Sequence, residues 1–425
     1  MSDNPEFRTI SIIGLGYIGL PTAAVFASHK VKVIGVDVNQ HAVDTINRGE
    51  IHIVEPDLDT AVHSGVENGF LRATTTPEPA DAFLIAVPTP FKDGPTGPHH
   101  PDMDYIESAS KSIAPVLKKG DLVILESTSP VGATEQMSAW LSEARPDLTF
   151  PQTHGEASDI RVAYCPERVL PGQVVRELVQ NDRVIGGMTL KCSDTAVRLY
   201  KIFVQGDCVI TNARIAEMCK LTENSFRDVN IAFANELSII SDKLGINVWE
   251  LIKLANRHPR VNILQPGPGV GGHCIAVDPW FIVSAAPEDA KLIRSAREIN
   301  DNKPSWVLDK IDKEVTKIKK TNANRTVTIG LVGLAFKPNI DDLRESPALI
   351  VANELAARCG DKIMACEPNV QNRPKNLNLD IEFSSIDKVI EYADVLVILV
   401  KHEILDKYKK YMNDRVLIDV VGLYE

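Results

Sequence analysis

The sequence lacks several features that would assign the chain to particular classes of protein. No stretch approaches the roughly 18 uninterrupted apolar residues of a membrane-spanning helix, and residues 1–6 lack the basic and apolar pattern of a secretion signal. There is no Cys-x-x-Cys pair, and the seven cysteines are widely spaced, which is typical neither of a disulfide framework nor of a zinc site. The net charge of -11 argues against a surface that binds nucleic acid or anionic lipid. We therefore expect a cytoplasmic protein with no metal and no nucleic-acid or membrane partner.

What is present is the composition of a folded protein with several domains. The chain has 425 residues, of which 44% are hydrophobic and 24% are charged. These values are ordinary for a globular protein. The length exceeds what a single core usually organises, so we predict two or three domains.

Two regions of the sequence alternate between short apolar strands and helices. The predicted strands are 9–13, 31–36, 82–87, 122–126 and 161–164 in the first region, and 326–332, 362–366, 395–400 and 416–420 in the second. This alternation is typical of a parallel, doubly wound sheet. Residues 194–254 instead show helical spacing with no convincing strand, and the polar residues 310–325 resemble an exposed linker. We predict an α/β fold with two Rossmann-like doubly wound domains, 1–193 and 310–425, joined by a long-helix central domain, 194–309.

A glycine pattern after the first strand indicates a dinucleotide site. Gly14, Gly16 and Gly19 follow the strand and open a helix, which lets a pyrophosphate approach the backbone at the helix N-terminus. Asp37 ends the second strand, where a carboxylate accepts hydrogen bonds from ribose hydroxyls and repels a 2'-phosphate. The sequence therefore predicts NAD rather than NADP, bound by residues 1–193.

Hydroxyl side chains follow two further strands. Thr89 and Thr128 come after the strands 82–87 and 122–126, at the carboxyl edge where such sheets bind ligands. We interpret both as candidate cofactor contacts, with capping of the local turn as the alternative.

One cysteine lies in a glycine-rich segment in the middle of the chain. Cys274 ends the stretch 265–274, which contains four glycines, and Asp278 follows it. Glycine flanks supply no side chains to bury the thiol, and their backbone N–H groups can stabilise negative charge. A thiol and a hydride acceptor in one chain suggest an oxidation through a covalent sulfur adduct. The other six cysteines are interpreted as buried, inert thiols.

Several motifs in order resemble the nucleotide-sugar 6-dehydrogenases, the UDP-glucose/GDP-mannose dehydrogenase family. The resemblance covers essentially the whole chain. Within the family, His273 and residues 258–263 resemble the N-acetylhexosamine branch. The motifs are GLGYIGL at 14–20, CPER at 165–168, KLTEN at 220–224, GGHC at 271–274 with Asp278, and GLAFK at 333–337 with Asp341 and Arg344.

The resemblance implies a four-electron oxidation of a sugar C6 alcohol to a carboxylate with two NAD in turn, and the expected substrate is UDP-N-acetyl-D-mannosamine. Cys274 would form a thiohemiacetal and then a thioester. Lys220 would act as the base for the hydroxyl or stabilise the alkoxide, with a solvated helix lysine as the alternative reading, and Asn224 lies one helical turn later. Glu167 and Asp278 would position or activate the hydrolytic water, Glu167 as the base; alternatively Glu167 is a surface acid and Asp278 caps a helix.

The resemblance also assigns binding residues and a homodimer. Arg260 is expected to reach the neighbouring subunit's site. Val421 stands where the family commonly has a basic residue that contacts the uridine diphosphate. The expected cofactor residues are Gly14, Gly16, Tyr17, Ile18, Gly19, Asp37, Thr89, Thr128 and Arg344. The expected substrate residues are Arg168, Val169, Lys220, Asn224, Arg227, His258, Arg260, Gly271, Phe336 and Lys337.

Two other functions stay open from the sequence. The first is oxidation of the C2 epimer, UDP-N-acetyl-D-glucosamine, because one N-acetyl group in a pocket separates the epimers and short motifs do not. The second is a non-catalytic NAD-binding regulator on the same fold, which would be expected to lack a catalytic group.

Overall fold

The computed structural model describes residues 6–53, 55–94, 97–169, 172–272, 274–321, 325–358, 360–413 and 415–425. The chain forms two compact units, Met1–Thr222 and Glu223–Glu425. No helix in these ranges is long and apolar enough to cross a membrane.

The first unit is built on an eight-stranded sheet in the order β10-β9-β8-β7-β4-β1-β2-β3. All neighbouring strands run parallel except β8 and β9, which are antiparallel. A separate hairpin pairs β5 with β6. The strands are β1 (Thr9–Ile13), β2 (Lys32–Val36), β3 (Leu71–Thr74), β4 (Ala82–Ile85), β5 (Phe91–Gly94), β6 (Gly97–Pro101), β7 (Leu122–Leu125), β8 (Arg161–Tyr164), β9 (Arg183–Gly187) and β10 (Cys208–Asn212).

Helices cover both faces of this sheet. Alternate residues of one strand enter two different cores: Leu84 of β4 lies in one cluster, and Phe83 and Ile85 lie in the other. Strands that are buried on both faces consist of continuous apolar residues. This is why the strands of this sheet could be predicted from the sequence. The helices are α1 (Gly19–Ser28), α2 (Gln40–Asn47), α3 (Leu58–Glu67), α4 (Asp104–Ile113), α5 (Ala133–Ala144), α6 (Pro151–His154), α7 (Val174–Gln180) and α8 (Leu190–Tyr200).

Long helices follow the first sheet. The 32-residue helix α9 (Ala213–Leu244) contains the boundary between the two units, and α10 (Val248–Ala255) and α11 (Asp278–Ala285) come after it. The 31-residue helix α12 (Lys291–Thr321) carries Pro304 inside it. Proline lacks the N–H that would bond the carbonyl four residues earlier, so the Asn300 carbonyl lacks its usual helical donor.

The second unit ends in a five-stranded parallel sheet in the order β13-β12-β11-β14-β15. Two apolar clusters cover its two faces, with Val397 of β14 in one and Ile398 in the other. The elements are β11 (Thr328–Val332), α13 (Pro347–Arg358), β12 (Lys362–Cys366), β13 (Ile381–Phe383), α14 (Ile386–Tyr392), β14 (Val395–Ile398), α15 (Lys409–Met412) and β15 (Val416–Asp419).

The predicted fold class is confirmed: two Rossmann-like doubly wound domains and a helical central part. The separate boundaries 1–193, 194–309 and 310–425 stay a prediction. Two local predictions were wrong. Residues 208–212 form β10 although their surroundings are helical, because pairing with β9 completes the sheet. Residues 310–321 continue α12 instead of forming a linker, because Leu308, Ile311 and Val315 are buried in the second unit's core and give the charged stretch an apolar face.

Gly19 packs against the turn that precedes it, and this contact generates a testable prediction. A Cβ atom at Gly19 would lie 1.8 Å from the carbonyl oxygen of Gly14, whereas a Cβ atom at Gly16 would meet nothing within 4 Å. We expect Gly19→Ala to lower the free energy of unfolding by at least about 3 kcal/mol, because backbone atoms must move. Gly16→Ala is the matched control and should stay within about 1 kcal/mol of the parent. Thermal and urea unfolding measure both; equal stabilities would contradict the packing argument.

Candidate functional site

The glycine turn after β1 has the geometry that a dinucleotide needs. Gly14 has a φ of 92°, a conformation that glycine adopts without strain, and its N–H donates to the carbonyl of Val36 at 2.8 Å. The turn leads directly into α1, and the space at Gly16 is open on the Cβ side. A pyrophosphate can therefore approach the backbone there.

Asp37 lies beside this turn. Its carboxylate accepts the N–H of Leu15 and the N–H of Asn39, each at 2.9 Å. These two bonds fix a carboxylate at the end of β2 and next to the glycine turn, where it can accept the ribose hydroxyls of NAD. The residues present thus fit the predicted cofactor.

The two predicted hydroxyl residues meet at the carboxyl edge of the sheet. Thr89 follows β4, Thr128 follows β7, and Thr89 Oγ1 donates to the carbonyl of Thr128 at 2.6 Å. Ser127 ties the same two strand ends, because its hydroxyl donates to the carbonyl of Val87 at 2.7 Å. The two threonines are therefore brought together, next to the crevice between β1 and β4 where the strand order reverses.

Lys220 is not a freely solvated helix lysine. It is half-buried on α9, and its Nζ donates to the backbone carbonyl of Glu167 at 2.6 Å. This bond holds the ammonium beside the CPER motif. The structure thus brings Lys220 to the segment that also carries Arg168 and Val169.

Glu167 is a buried acid rather than a surface acid. Its two carboxylate oxygens accept the N–H of Arg168 at 2.6 Å and Nη1 of Arg183 at 2.8 Å. The side chains of Glu167 and Arg183 are 7% and 3% exposed. A buried pair of this kind fixes the direction of the carboxylate. Sequence reasoning missed Arg183, since an arginine at the start of a strand gives no distinct signal.

A second buried acid adjoins this pair and was also missed. Glu126 follows β7, is 2% exposed, and accepts the hydroxyl of Tyr200 at 2.6 Å. The Arg183 guanidinium lies over the Tyr200 ring, 5.1 Å from its centroid. Burial raises the pKa of Glu126 to about 7, because an ionised carboxylate is poorly solvated there. The sequence feature that could have identified Glu126 is its position directly after an apolar strand.

Cys274 stands apart from the other described cysteines in its exposure. It is exposed, whereas Cys165, Cys192 and Cys366 are buried. Burial raises the pKa of the Cys165 thiol to about 12, which makes that thiol unreactive near neutral pH. The exposed side chain of Cys274 meets the first requirement for a nucleophile.

The glycine segment before Cys274 is packed closely against the start of the C-terminal sheet domain. Gly272 has a φ of 82°, its N–H donates to the carbonyl of Arg344 at 3.2 Å, and a Cβ atom there would lie 2.9 Å from the ring of Phe336. A Cβ atom at Gly271 would lie 2.4 Å from the carbonyl of Glu345. Only glycine fits these two positions. The predicted family residue His273 lies outside the described residues.

Asn224 and Asp278 meet directly. Asn224 Nδ2 donates to Asp278 Oδ2 at 2.5 Å, and both side chains are buried. The N–H of Asp278 in turn donates to the carbonyl of Cys274 at 2.9 Å. Asp278 is the first residue of α11, and Val277 occupies the N-cap position of that helix; the helix-cap alternative for Asp278 stays open.

The remaining predicted binding residues are placed on different elements. Arg227, His258 and Arg260 are exposed, and Lys337 is half-buried. Arg344 is half-buried and pairs with Asp342 at 2.6 Å. The side chain of Val421 packs on the core of the second sheet.

A lysine lies next to the stretch that contains Val421. Lys401 Nζ donates to the carbonyl of Gly422. This ammonium lies beside the segment where a basic residue was expected. The described ranges contain no cluster of three or more potential metal ligands.

Comparisons with known proteins agree along the whole chain. Three models of the UDP-glucose/GDP-mannose dehydrogenase family match in order: the NAD binding domain over residues 8–204, the central domain over 214–302 and the UDP binding domain over 330–425.

Individual relatives cover nearly the full length of the chain. It is 65% identical to a UDP-N-acetyl-D-mannosamine dehydrogenase of Yersinia pestis, covering 99% of this chain and 100% of that protein. It is 61% identical to an NDP-N-acetyl-D-galactosaminuronic acid dehydrogenase of Ralstonia nicotianae, covering 99% and 97%. The solved structure of the UDP-D-ManNAc dehydrogenase from Pyrococcus horikoshii matches with a TM-score of 0.87 and 37% identity, covering 98% and 96%.

The raised pKa of Glu126 predicts a pH-dependent stability. Because the folded-state pKa of about 7 lies above the ordinary value of 4.5, the folded state binds the proton more tightly. This contribution is therefore fully present below pH 4.5 and is lost as the pH rises to 7. We expect Glu126→Gln to match the parent near pH 4.5 and to exceed its unfolding free energy by about 3 kcal/mol at pH 8.

Denaturant unfolding across this pH range measures the difference between the two proteins. Glu135→Gln, which removes an exposed carboxylate paired with Arg214, is the matched control and should show no gain in stability with rising pH. A constant difference between Glu126→Gln and the parent would show that folding does not raise the pKa of Glu126.

Proposed function

Because the chain belongs to the UDP-glucose/GDP-mannose dehydrogenase family, we propose that it is an NAD-dependent enzyme that oxidises UDP-N-acetyl-D-mannosamine at C6 to UDP-N-acetyl-D-mannosaminuronate. The observation that carries this proposal is the exposed Cys274 at the end of a closely packed glycine segment, in a chain with an NAD turn at Gly14. We place the reaction in the cytoplasm, where thiols remain reduced, and its product in surface polysaccharide synthesis.

NAD supplies the hydride acceptor, one molecule for each of two oxidation steps. The residues that would hold it are Gly14, Gly16, Tyr17, Ile18 and Gly19 at the turn and Asp37 at the ribose. Thr89, Thr128 and Arg344 complete the proposed set. Asp37 favours NAD over NADP because a second negative charge beside it would be repelled.

Lys220 acts at the first oxidation. The alcohol oxygen of C6 loses its proton as the C6 hydride leaves, and an ammonium beside that oxygen lowers the barrier by stabilising the developing negative charge. The bond from Lys220 Nζ to the carbonyl of Glu167 supports this role, since it fixes the ammonium and leaves its other two N–H groups for the substrate or a water.

Cys274 acts at the second oxidation. Its sulfur bonds to the aldehyde carbon and the thiol proton passes to the aldehyde oxygen, which gives a thiohemiacetal. Loss of the C6 hydride together with the hydroxyl proton then leaves a thioester. Water then adds to the carbonyl carbon, the carbon–sulfur bond breaks, and the thiolate and a carboxylate are released. Glu167, held by Arg183, is the proposed acceptor of the water's proton, with Asn224 and Asp278 positioning the water.

The sugar nucleotide carries two phosphates, and cationic and amide groups are proposed to bind it. Lys401 lies beside Gly422 and is positioned to supply the charge that Val421 lacks. The proposed substrate residues are Arg168, Val169, Lys220, Asn224, Arg227, His258, Arg260, Gly271, Phe336 and Lys337.

Turnover of three stereoisomeric sugar nucleotides side by side tests the function. We expect UDP-N-acetyl-D-mannosamine to give two NADH per sugar and a kcat/KM at least about tenfold above those of UDP-N-acetyl-D-glucosamine and UDP-N-acetyl-D-galactosamine. The galacto isomer is included because a relative at 61% identity is named for that sugar acid. A higher kcat/KM for either other isomer would reassign the substrate, and NAD binding without turnover of any would favour a regulator.

Cys274→Ala isolates the thioester step in the same assay. We expect it to stop at no more than one NADH per sugar, with aldehyde detected by a carbonyl-trapping reagent. Cys208→Ala, a half-buried cysteine on β10, is the matched control and should retain two NADH per sugar. Full oxidation by Cys274→Ala would remove the covalent step.

We also propose a homodimer that packs along α9. Six large apolar side chains are exposed on this helix, and four of them form a stripe: Phe226 (68%), Phe233 (50%), Ile240 (46%) and Leu244 (65%). Their spacing of seven, seven and four residues places them on one face. An exposed apolar stripe of this length is typical of an interaction surface, and the exposed Arg260 is proposed to reach the site of the second copy.

Replacement of one stripe residue tests the dimer. We expect Phe233→Glu to shift the molar mass measured by light scattering from dimer to monomer, because a charge would be buried in an apolar contact. Tyr392→Glu, an equally exposed aromatic residue on α14, is the matched control and should remain a dimer. A dimeric Phe233→Glu would place the interface elsewhere.

A further inference from the structure

Helices α9 and α12 face each other through buried polar side chains. Arg297 Nη1 donates to Asp228 Oδ1 at 2.6 Å, and Asn300 Nδ2 donates to the same oxygen at 2.8 Å. Asn235 Nδ2 donates to Asn300 Oδ1 at 2.8 Å. These four side chains are at most 1% exposed, and we call them the polar seam.

The seam continues one turn further with a buried amine. Lys303 Nζ donates to Ser238 Oγ at 2.5 Å and lies 3.5 Å from the centroid of the Trp306 ring. Burial lowers the pKa of Lys303 to about 7, as expected where water is excluded. The contact between the two helices is therefore both polar and dry.

Such a contact fixes the register of the two helices. A buried polar group that loses its partner costs about 1–3 kcal/mol, so a shift of α12 along α9 by one turn would leave several groups unsatisfied at once. Apolar side chains would tolerate such a shift far better. Asn224, Asp228 and Asn235 lie at i, i+4 and i+11, which is one face of α9.

The same face of α9 holds the glycine segment at both ends. Asn235 Oδ1 accepts the N–H of Gly267 at 2.9 Å, near the beginning of the segment. Asn224 bonds to Asp278, just after its end. A Cβ atom at Gly269 would lie 3.1 Å from the Asn300 carbonyl, the group that loses its usual helical donor at Pro304.

We propose that Asn235 and Asn300 are positioning residues for the nucleophile. This role rests on the proposed function. The polar seam fixes the position of α12 along α9, and its contacts with residues 265–274 in turn position the backbone that carries Cys274. Neither residue acts as a catalytic group, since both are sealed from solvent. Asn235 acts through the N–H of Gly267, and Asn300 acts by orienting the amide of Asn235 and by contacting Gly269.

The test removes the seam's contact with the loop. Asn235→Ala loses the acceptor for the N–H of Gly267 and the donor to Asn300. We expect kcat to fall about 10–100-fold, the range for a nucleophile displaced by about 1 Å, while KM for sugar nucleotide and NAD changes less than about threefold. With a carbonyl-trapping reagent present, NADH per sugar should fall from two toward one, because the displaced thiol captures the aldehyde too slowly.

Asn302→Ala is the matched control. Asn302 is also an asparagine of the long helices, is exposed, and bonds only to the carbonyl of Glu298 of its own helix among the contacts described. We expect it to keep the parent kcat and two NADH per sugar. An Asn235→Ala variant that behaves like Asn302→Ala overturns the proposal.

A second variant, Asn235→Asp, tests the positioning role of Asn235 if Asn235→Ala does not fold. Asn235→Asp reproduces both contacts only when the new carboxyl is protonated, and its charged neighbours along the seam are Asp228, Arg297 and Lys303, whose Nζ bonds to Ser238. We expect the ratio of its kcat to that of the parent to rise as the pH falls from 8 to 6. A flat ratio overturns the positioning role.

Hydrogen exchange separates this inference from the proposed function. In the absence of any substrate, the amide of Gly267 should exchange at least about tenfold faster in Asn235→Ala than in Asn302→Ala. If the Gly267 amide exchanges at the same rate in both variants, the positioning role is wrong, even if the enzyme oxidises the sugar. Faster exchange together with no turnover of any of the three sugar nucleotides by the parent would contradict the proposed function but would support the contact between Asn235 and Gly267.

Discussion

Carboxylate and amide side chains, buried in every pair except that of the half-buried Asp37, bind the backbone N–H groups of irregular segments of this protein. An unpaired buried N–H costs about as much as a lost hydrogen bond, so a loop that leaves regular structure needs a partner from elsewhere in the fold. The pairs are Asp37 with Leu15, Glu55 with Gly172 and Val174, Glu217 with Gly132 and Thr134, Asn235 with Gly267, and Glu367 with Leu334 and Ala335.

The two sheets use this device in the same place. Gly14 after β1 and Gly333 after β11 have φ values of 92° and 89°, and the acid after the next strand binds the following N–H in each case. In the second sheet, however, Glu367 is buried and bonds to Nε2 of His402 at 3.2 Å. His402 Nδ1 accepts the N–H of Asn339, so Nε2 carries the proton that is donated to Glu367. An acid used in this way is not free for a ribose, which fits the assignment of NAD to the first sheet.

Much of this architecture was readable because parallel strands are apolar on both faces and end in glycine or acid. The motifs also predicted roles for Cys274, Lys220, Glu167 and Asn224, and these roles stay proposals. The two wrong local predictions have one cause, which is tertiary contact. Residues 208–212 form β10 because they pair with the edge strand β9, and the end of α12 is helical because it packs on the core of the second unit. Local propensity contains neither fact.

The sequence by itself determined the fold class, the dinucleotide turn, the family and the identity of the exposed thiol, because each depends on spacing within a short stretch of chain. Only the tertiary structure decided that Arg183 holds Glu167, that Glu126 is buried against Tyr200, and that Asn235 and Asn300 reach the glycine segment. These partners lie far apart along the chain. Their contacts arise from the packing of strands and long helices, and no local pattern of residues encodes which distant side chain a given N–H or carboxylate will meet.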